Sequence, residues 1–112
     1  MTKRTECNSF ILILTSTPNE NEALSIVQIL LEKKLIACGK ILKDVTSRYW
    51  WQGKIEEARE FIVILKTCQE RFKEIHETIQ RVHSYQVPEL IAIPILDGAP
   101  SYLAWLKDAV TP

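Results

Sequence analysis

The sequence carries no surplus of either charge: fourteen basic residues stand against fourteen acidic ones. Nonspecific affinity for nucleic acid is built on a cationic excess, so a phosphate-rich polymer is not the expected partner. Long apolar runs are missing as well. Stretches such as residues 10–14 and 61–65 fall far short of the roughly 20 residues that a membrane-crossing helix requires. Behind the basic residues of MTKRTECNSF there is no apolar signal core, and the chain is therefore expected in the cytoplasm, away from membranes. Cysteine is scarce and unpaired in pattern: Cys7, Cys38 and Cys68 are an odd number with no C-x-x-C spacing. That pattern argues against a disulfide framework and a zinc knuckle, and it predicts reduced thiols.

What is present suits one soluble domain. Hydrophobic residues make up 46% of the 112 and charged residues 25%, which places the chain with proteins that bury a core rather than with disordered ones. The expected organisation is a flexible N-terminus over residues 1–8 and a single domain over 9–112.

Apolar periodicity gives the elements. FILIL from Phe10 reads as a strand buried on both faces. Thr17, Pro18 and Glu20 then stand at the cap, first-turn and capping-box positions of a helix. Its apolar stripe is Ala23, Ile26, Val27, Leu30, Leu31 and Leu35. The design recurs: FIVIL at residues 61–65, Thr67 and Glu70 with capping-box spacing, and a stripe of Phe72, Ile75, Ile79 and Val82. After each helix the tripeptide Leu-Ile-Ala opens another strand-like segment, at residues 35–37 and 90–92.

Strand, helix, strand, twice over, predicts an α+β fold, the ferredoxin-like β-α-β-β-α-β arrangement with an antiparallel four-stranded sheet and both helices on one face. Pro94 in IAIPI marks an edge strand or a bulge. Pro100 starts a short C-terminal helix carrying Tyr102, Trp105, Leu106 and Ala109, which must dock to be stable.

The hairpin joining the halves is long, with strands expected over residues 37–51 and 54–66 around a Gln52-Gly53 turn. Its tip carries Tyr49, Trp50 and Trp51. Adjacent strand residues point to opposite faces, so both tryptophans cannot enter one core. Leaving a large side chain in water forgoes on the order of 2 kcal/mol of burial. Three outcomes are open: a partner surface covers the tip, the tip is a ligand platform, or one tryptophan folds back on the body. The preferred one is a second copy of the same chain, since closed homo-oligomers are the commonest assemblies.

LIAC after the first helix, YWWQGKIEE at the hairpin tip, ILKT before the second helix, HSYQVPE after it, and YLAWL near the end together resemble the CutA divalent-cation tolerance proteins. The match spans about residues 10–110 and rests on five ordered motifs. The resemblance implies a homotrimer of ferredoxin-like subunits, similar to PII signalling proteins, with clefts between subunits. It also implies a role in tolerance of copper and other divalent metal ions, with no enzymatic reaction.

Some relatives hold copper with a cysteine after the first strand, a histidine in a His-His-Pro-Tyr stretch and the glutamate of the Pro-Glu pair. Here Thr15 stands in place of the cysteine, Val82 in place of the first histidine and Ser84 in place of the proline. His83 and Glu89 remain as candidate metal ligands, without the soft donors that favour copper. The plainer reading of His83 is a helix C-terminal or cleft residue. Cys38 reads as a small buried hydrophobe.

A second candidate site is an intersubunit cleft of Trp51, Lys66, Tyr85 and Glu60, able to hold a small anion or metabolite, with Lys66 beside a helix N-terminus. It makes a PII-like sensor of a small anion or nucleotide the alternative function. Other activities of this fold are disfavoured: TSTPNE has neither the arginine of an acylphosphatase nor the C-x-x-C of a copper chaperone, and the third strand lacks the aromatics of an RNA-recognition domain.

Overall fold

A computed structural model describes residues 6–111. The elements run β1 (Phe10–Thr17), α1 (Glu20–Glu32), β2 (Cys38–Trp51), β3 (Lys54–Cys68), a 3-10 turn (Gln69–Arg71), α2 (Phe72–Val82), β4 (Ile91–Pro94) and α3 (Pro100–Ala109). The strands form one sheet in the order β2-β3-β1-β4 with every neighbour antiparallel. This is the ferredoxin-like arrangement, with an extended hairpin and a third helix.

Register assigns the faces. Ile11, Ile13 and Thr15 of β1 stand opposite Thr67, Leu65 and Val63 of β3, and the apolar members of this set join Ala23, Ile26, Val27, Leu30, Ile75 and Ile79 in the main core. The amphipathic stripes of α1 and α2 close that face. Leu31 and Val82, expected in the stripes, lie at its flanks, 39% and 40% exposed. The tightest approach is at Gly39, where an added Cβ lands 2.8 and 2.9 Å from the Val27 methyls. Gly39→Ala is expected to cost about 1–3 kcal/mol in urea unfolding, and Val27→Ala in the same chain should return part of that loss. An unchanged midpoint in the single variant contradicts the packing.

Both helix starts differ from the expected ones. Thr17 remains in β1, paired with Phe61, so the cap passes to Asn19, whose Oδ1 accepts the Glu22 N–H at 2.8 Å. Asparagine is the stronger cap, and Pro18 falls outside the helix. Thr67 is likewise held in the sheet and donates its hydroxyl to the Leu35 carbonyl at 2.6 Å. Helix α2 begins after the 3-10 turn with no side-chain cap, and Glu70 accepts the Asn8 N–H instead.

The reduced-thiol expectation is overturned: Cys7 and Cys68 form a disulfide across 61 residues, and only Cys38 is a free thiol. Composition does not reveal this pair because residues so far apart meet only through the fold. Of the stretch 1–8 expected to be flexible, residues 1–5 lie outside the described residues. Cys7 is buried with Cys68, Ala37, Leu106 and Val110 in a second cluster that seats α3. Arg71, almost fully buried, donates from Nε and Nη2 to the Val110 carbonyl at 3.2 and 3.0 Å, satisfying an acceptor at the end of that helix. Cys7 and Asn8 are thus tied to the body, by the disulfide and by the Asn8 N–H bond to Glu70.

The other sheet face is apolar and largely open. Leu12, Leu14, Ile62 and Ile64 are half-buried, while Leu42, Ile91 and Ile93 are 49%, 48% and 38% exposed. The second Leu-Ile-Ala, unlike the first, thus lies partly in water. Pro94 ends β4, which pairs only with β1 and is an edge strand as expected.

Candidate functional site

The site is built by a bulge. Leu42 pairs with Ile62 but Val45 pairs with Glu60, so β2 carries one extra residue between them, with Asp44 at φ 55°. One extra residue exchanges the faces of everything beyond it. Val45, Ser47, Tyr49 and Trp51 therefore join Glu60 on the open face, while Trp50, opposite Ile55, turns away. At the tip Gln52 and Gly53 both have positive φ, 50° and 79°, the signature of a tight hairpin turn that suits strand twist. Trp51 is 42% exposed and Trp50 73%, so neither tryptophan folds into the core of its own chain.

Glu60 sits at the root of the hairpin, 7% exposed. Its Oε2 accepts from the Tyr85 hydroxyl at 2.9 Å and from the Ser16 hydroxyl at 3.4 Å. Behind them His83, the C-terminal cap residue of α2, donates from Nε2 to the Ser16 carbonyl at 2.6 Å and accepts the Tyr85 N–H on Nδ1 at 3.0 Å. These bonds close a ring of four residues, and the His83 and Tyr85 side chains stack at 4.9 Å between centroids. Burial, then the Glu60 carboxylate, pushes the Tyr85 hydroxyl well above the ordinary tyrosine pKa. It stays protonated and donating at any physiological pH.

In front of this ring opens a cavity of about 550 Å³, bordered by Ser16, Tyr49, Trp51, Glu60, Tyr85 and Glu89 among others. Three of the four cleft residues expected from the sequence meet here: Trp51, Glu60 and Tyr85. Lys66 does not. Within one chain it is not among the residues lining the cavity, and its Nζ donates to the Tyr102 hydroxyl at 3.0 Å. That hydrogen bond raises the Lys66 pKa. Ser16 is not singled out by sequence, and Tyr49 only as part of the aromatic tip, because their side of the sheet depends on the bulge and on register.

The two candidate metal ligands stand in different settings. Both ring nitrogens of His83 are engaged within the protein, whereas Glu89 is exposed at the cavity. Among the described residues no three His, Cys, Asp or Glu side chains are grouped to hold a metal ion. Thr15, at the position of the relatives' copper cysteine, is buried with its hydroxyl lacking a hydrogen-bond partner. The residues present within one chain do not fit a copper centre.

The sequence model of the CutA1 divalent ion tolerance protein family matches residues 11–109. The chain belongs to the CutA1 family. It is 43% identical over 103 residues to the divalent-cation tolerance protein CutA of Archaeoglobus fulgidus, covering 92% of this chain and 98% of that one. The crystal structure of the divalent ion tolerance protein CutA1 from Ehrlichia chaffeensis superposes with a TM-score of 0.88 at 33% identity, over 96% of this chain and all of that one. The solved CutA of Archaeoglobus fulgidus, described as periplasmic, gives 0.88 at 42% identity over 90% of this chain and 98% of its own. These CutA1-type relatives are named for tolerance of divalent cations, not for a reaction. No described helix of the chain is long and apolar enough to cross a membrane.

Proposed function

We propose that this chain is a non-catalytic binding protein of divalent-metal tolerance, acting as a closed assembly of three copies, with the cavity at the hairpin root as its ligand site. The observation that carries the reading is the buried, hydroxyl-bonded Glu60 at the floor of an accessible cavity. A carboxylate is kept from water only where its surroundings compensate, and such sites are recurrently functional. Assembly is supported by the open apolar face of Leu42, Ile91 and Ile93 and by the protruding Trp50 and Ile55, exposed by 73% and 59%.

Copper as a resident cofactor has little support, because both ring nitrogens of His83 are engaged within the protein and Thr15 offers no soft donor. The PII-like alternative, a sensor of a small anion or nucleotide at clefts between subunits, draws less support from the single chain, whose cavity has Glu60 at its floor and lacks Lys66 in its lining. The cytoplasmic location expected from the sequence stands against the Cys7–Cys68 bond, which is the chemistry of an oxidising compartment.

Expression of the chain in a bacterial strain sensitised to copper and zinc by loss of its own CutA1 protein is expected to raise the metal concentration that halts growth. Unchanged sensitivity, with the protein present at normal levels, sinks the tolerance reading.

A further inference from the structure

Given the cavity as a ligand site, we infer that its ligand is a small organic cation, a protonated amine or a methylated ammonium group, drawn by the Glu60 carboxylate into a cavity that the rings of Tyr49 and Trp51 also line. This inference rests on the functional reading of the cavity and adds the ligand's chemical class.

Charge points that way first. Glu60 is 93% removed from solvent by its 7% exposure, yet its hydrogen-bond partners are two neutral hydroxyls. None of the ion pairs among the described residues includes it. Both hydroxyls bond to Oε2, so the second carboxylate oxygen is available for an incoming donor. Glu89 adds another negative charge to the lining, and the one cation there, Arg48, has its Nε 3.3 Å from Glu57. A phosphate, nucleotide or carboxylate entering the cavity meets the like charges of Glu60 and Glu89, with Arg48, exposed and already paired with Glu57, as the one countercharge this chain's lining supplies.

Aromatic geometry points the same way. The bulge turns Tyr49 and Trp51 toward the side of Glu60, and Tyr85 completes three aromatic residues around the cavity. Aromatic faces next to a carboxylate attract weakly hydrated organic cations through the ring quadrupole. A divalent metal ion instead needs several converging oxygens, and no group of three acidic or other ligating residues exists among the described ones. The volume of about 550 Å³ lies in the range of small-molecule sites.

The test uses the full, metal-stripped chain, with calorimetry and tryptophan fluorescence. Benzyltrimethylammonium and 1,4-diaminobutane are the cationic probes, ATP and phosphate the anionic ones, and zinc and magnesium ions the metals. Saturable binding of at least one cationic probe with a change in tryptophan emission is expected. Glu60→Gln and, separately, Trp51→Leu should each weaken it by about tenfold or more, while Glu77→Gln on the exposed side of α2 leaves it unchanged. Trp51 lies at the exposed tip, so its variant keeps the test open if Glu60→Gln fails to fold. Cationic binding that survives both site variants overturns the inference. So does saturable binding of an anion or metal that both variants abolish, although the cavity then remains a ligand site. Silence from every probe overturns the inference and the site reading together.

Discussion

Reduction of the Cys7–Cys68 bond is expected to lower the unfolding free energy by about 4 kcal/mol, the loop-closure value for a crosslink of this span. The bond joins residues 61 apart in sequence, and its loss releases a large conformational ensemble to the unfolded chain. The folded state suffers too, because Cys7 packs with Leu106 and Val110 under α3. Guanidinium titrations with and without dithiothreitol, at one chain concentration because assembly shifts apparent stability, measure the change. Cys7→Ser under non-reducing conditions should reproduce it. Amides of α3 are expected to lose hydrogen-exchange protection first. Superimposable titrations with and without reductant mean that the crosslink contributes nothing.

The second large effect is expected from the open sheet face. Ile62→Glu combined with Ile64→Glu should convert the proposed assembly to single chains in sedimentation, because a charge buried without a partner costs several kcal/mol and a symmetric assembly would repeat the pair at every interface. Both positions are half-buried in the single chain and border Leu12, Leu14 and Leu42. Circular dichroism checks that the chain still folds, and Ile93→Glu, on the edge strand and 38% exposed, supplies a milder variant. A wild-type protein that sediments as one chain ends the assembly reading. A double variant that keeps the wild-type mass moves the interface elsewhere.

The order of elements is legible in the sequence itself, as are the edge position of Pro94, the Gln52-Gly53 turn and a third helix. Apolar spacing and proline chemistry act over a few residues, and those signals survive in one dimension. Helix starts were misplaced by a few residues for a definable reason: Thr17 and Thr67 are good caps locally, but pairing with Phe61 and Ile11 holds each in the sheet. Tertiary hydrogen bonding outweighs a cap worth about 1 kcal/mol.

For the site, residue types named Trp51, Glu60 and Tyr85, which line one cavity within the chain, and Lys66, which within one chain lies outside that lining. Which side chains meet was decided by the bulge at Asp44, a residue whose left-handed backbone has no glycine to announce it. A single inserted residue turned Tyr49 and Trp51 toward Glu60, and no periodicity in the sequence records that exchange. Sequence alone determined the strands, the helices and an aromatic tip in need of cover. The fold alone decided that Cys7 meets Cys68, that His83 braces Tyr85, and that Glu60 shares a cavity with Tyr49 and Trp51, because long-range register and burial depend on contacts between residues far apart along the chain.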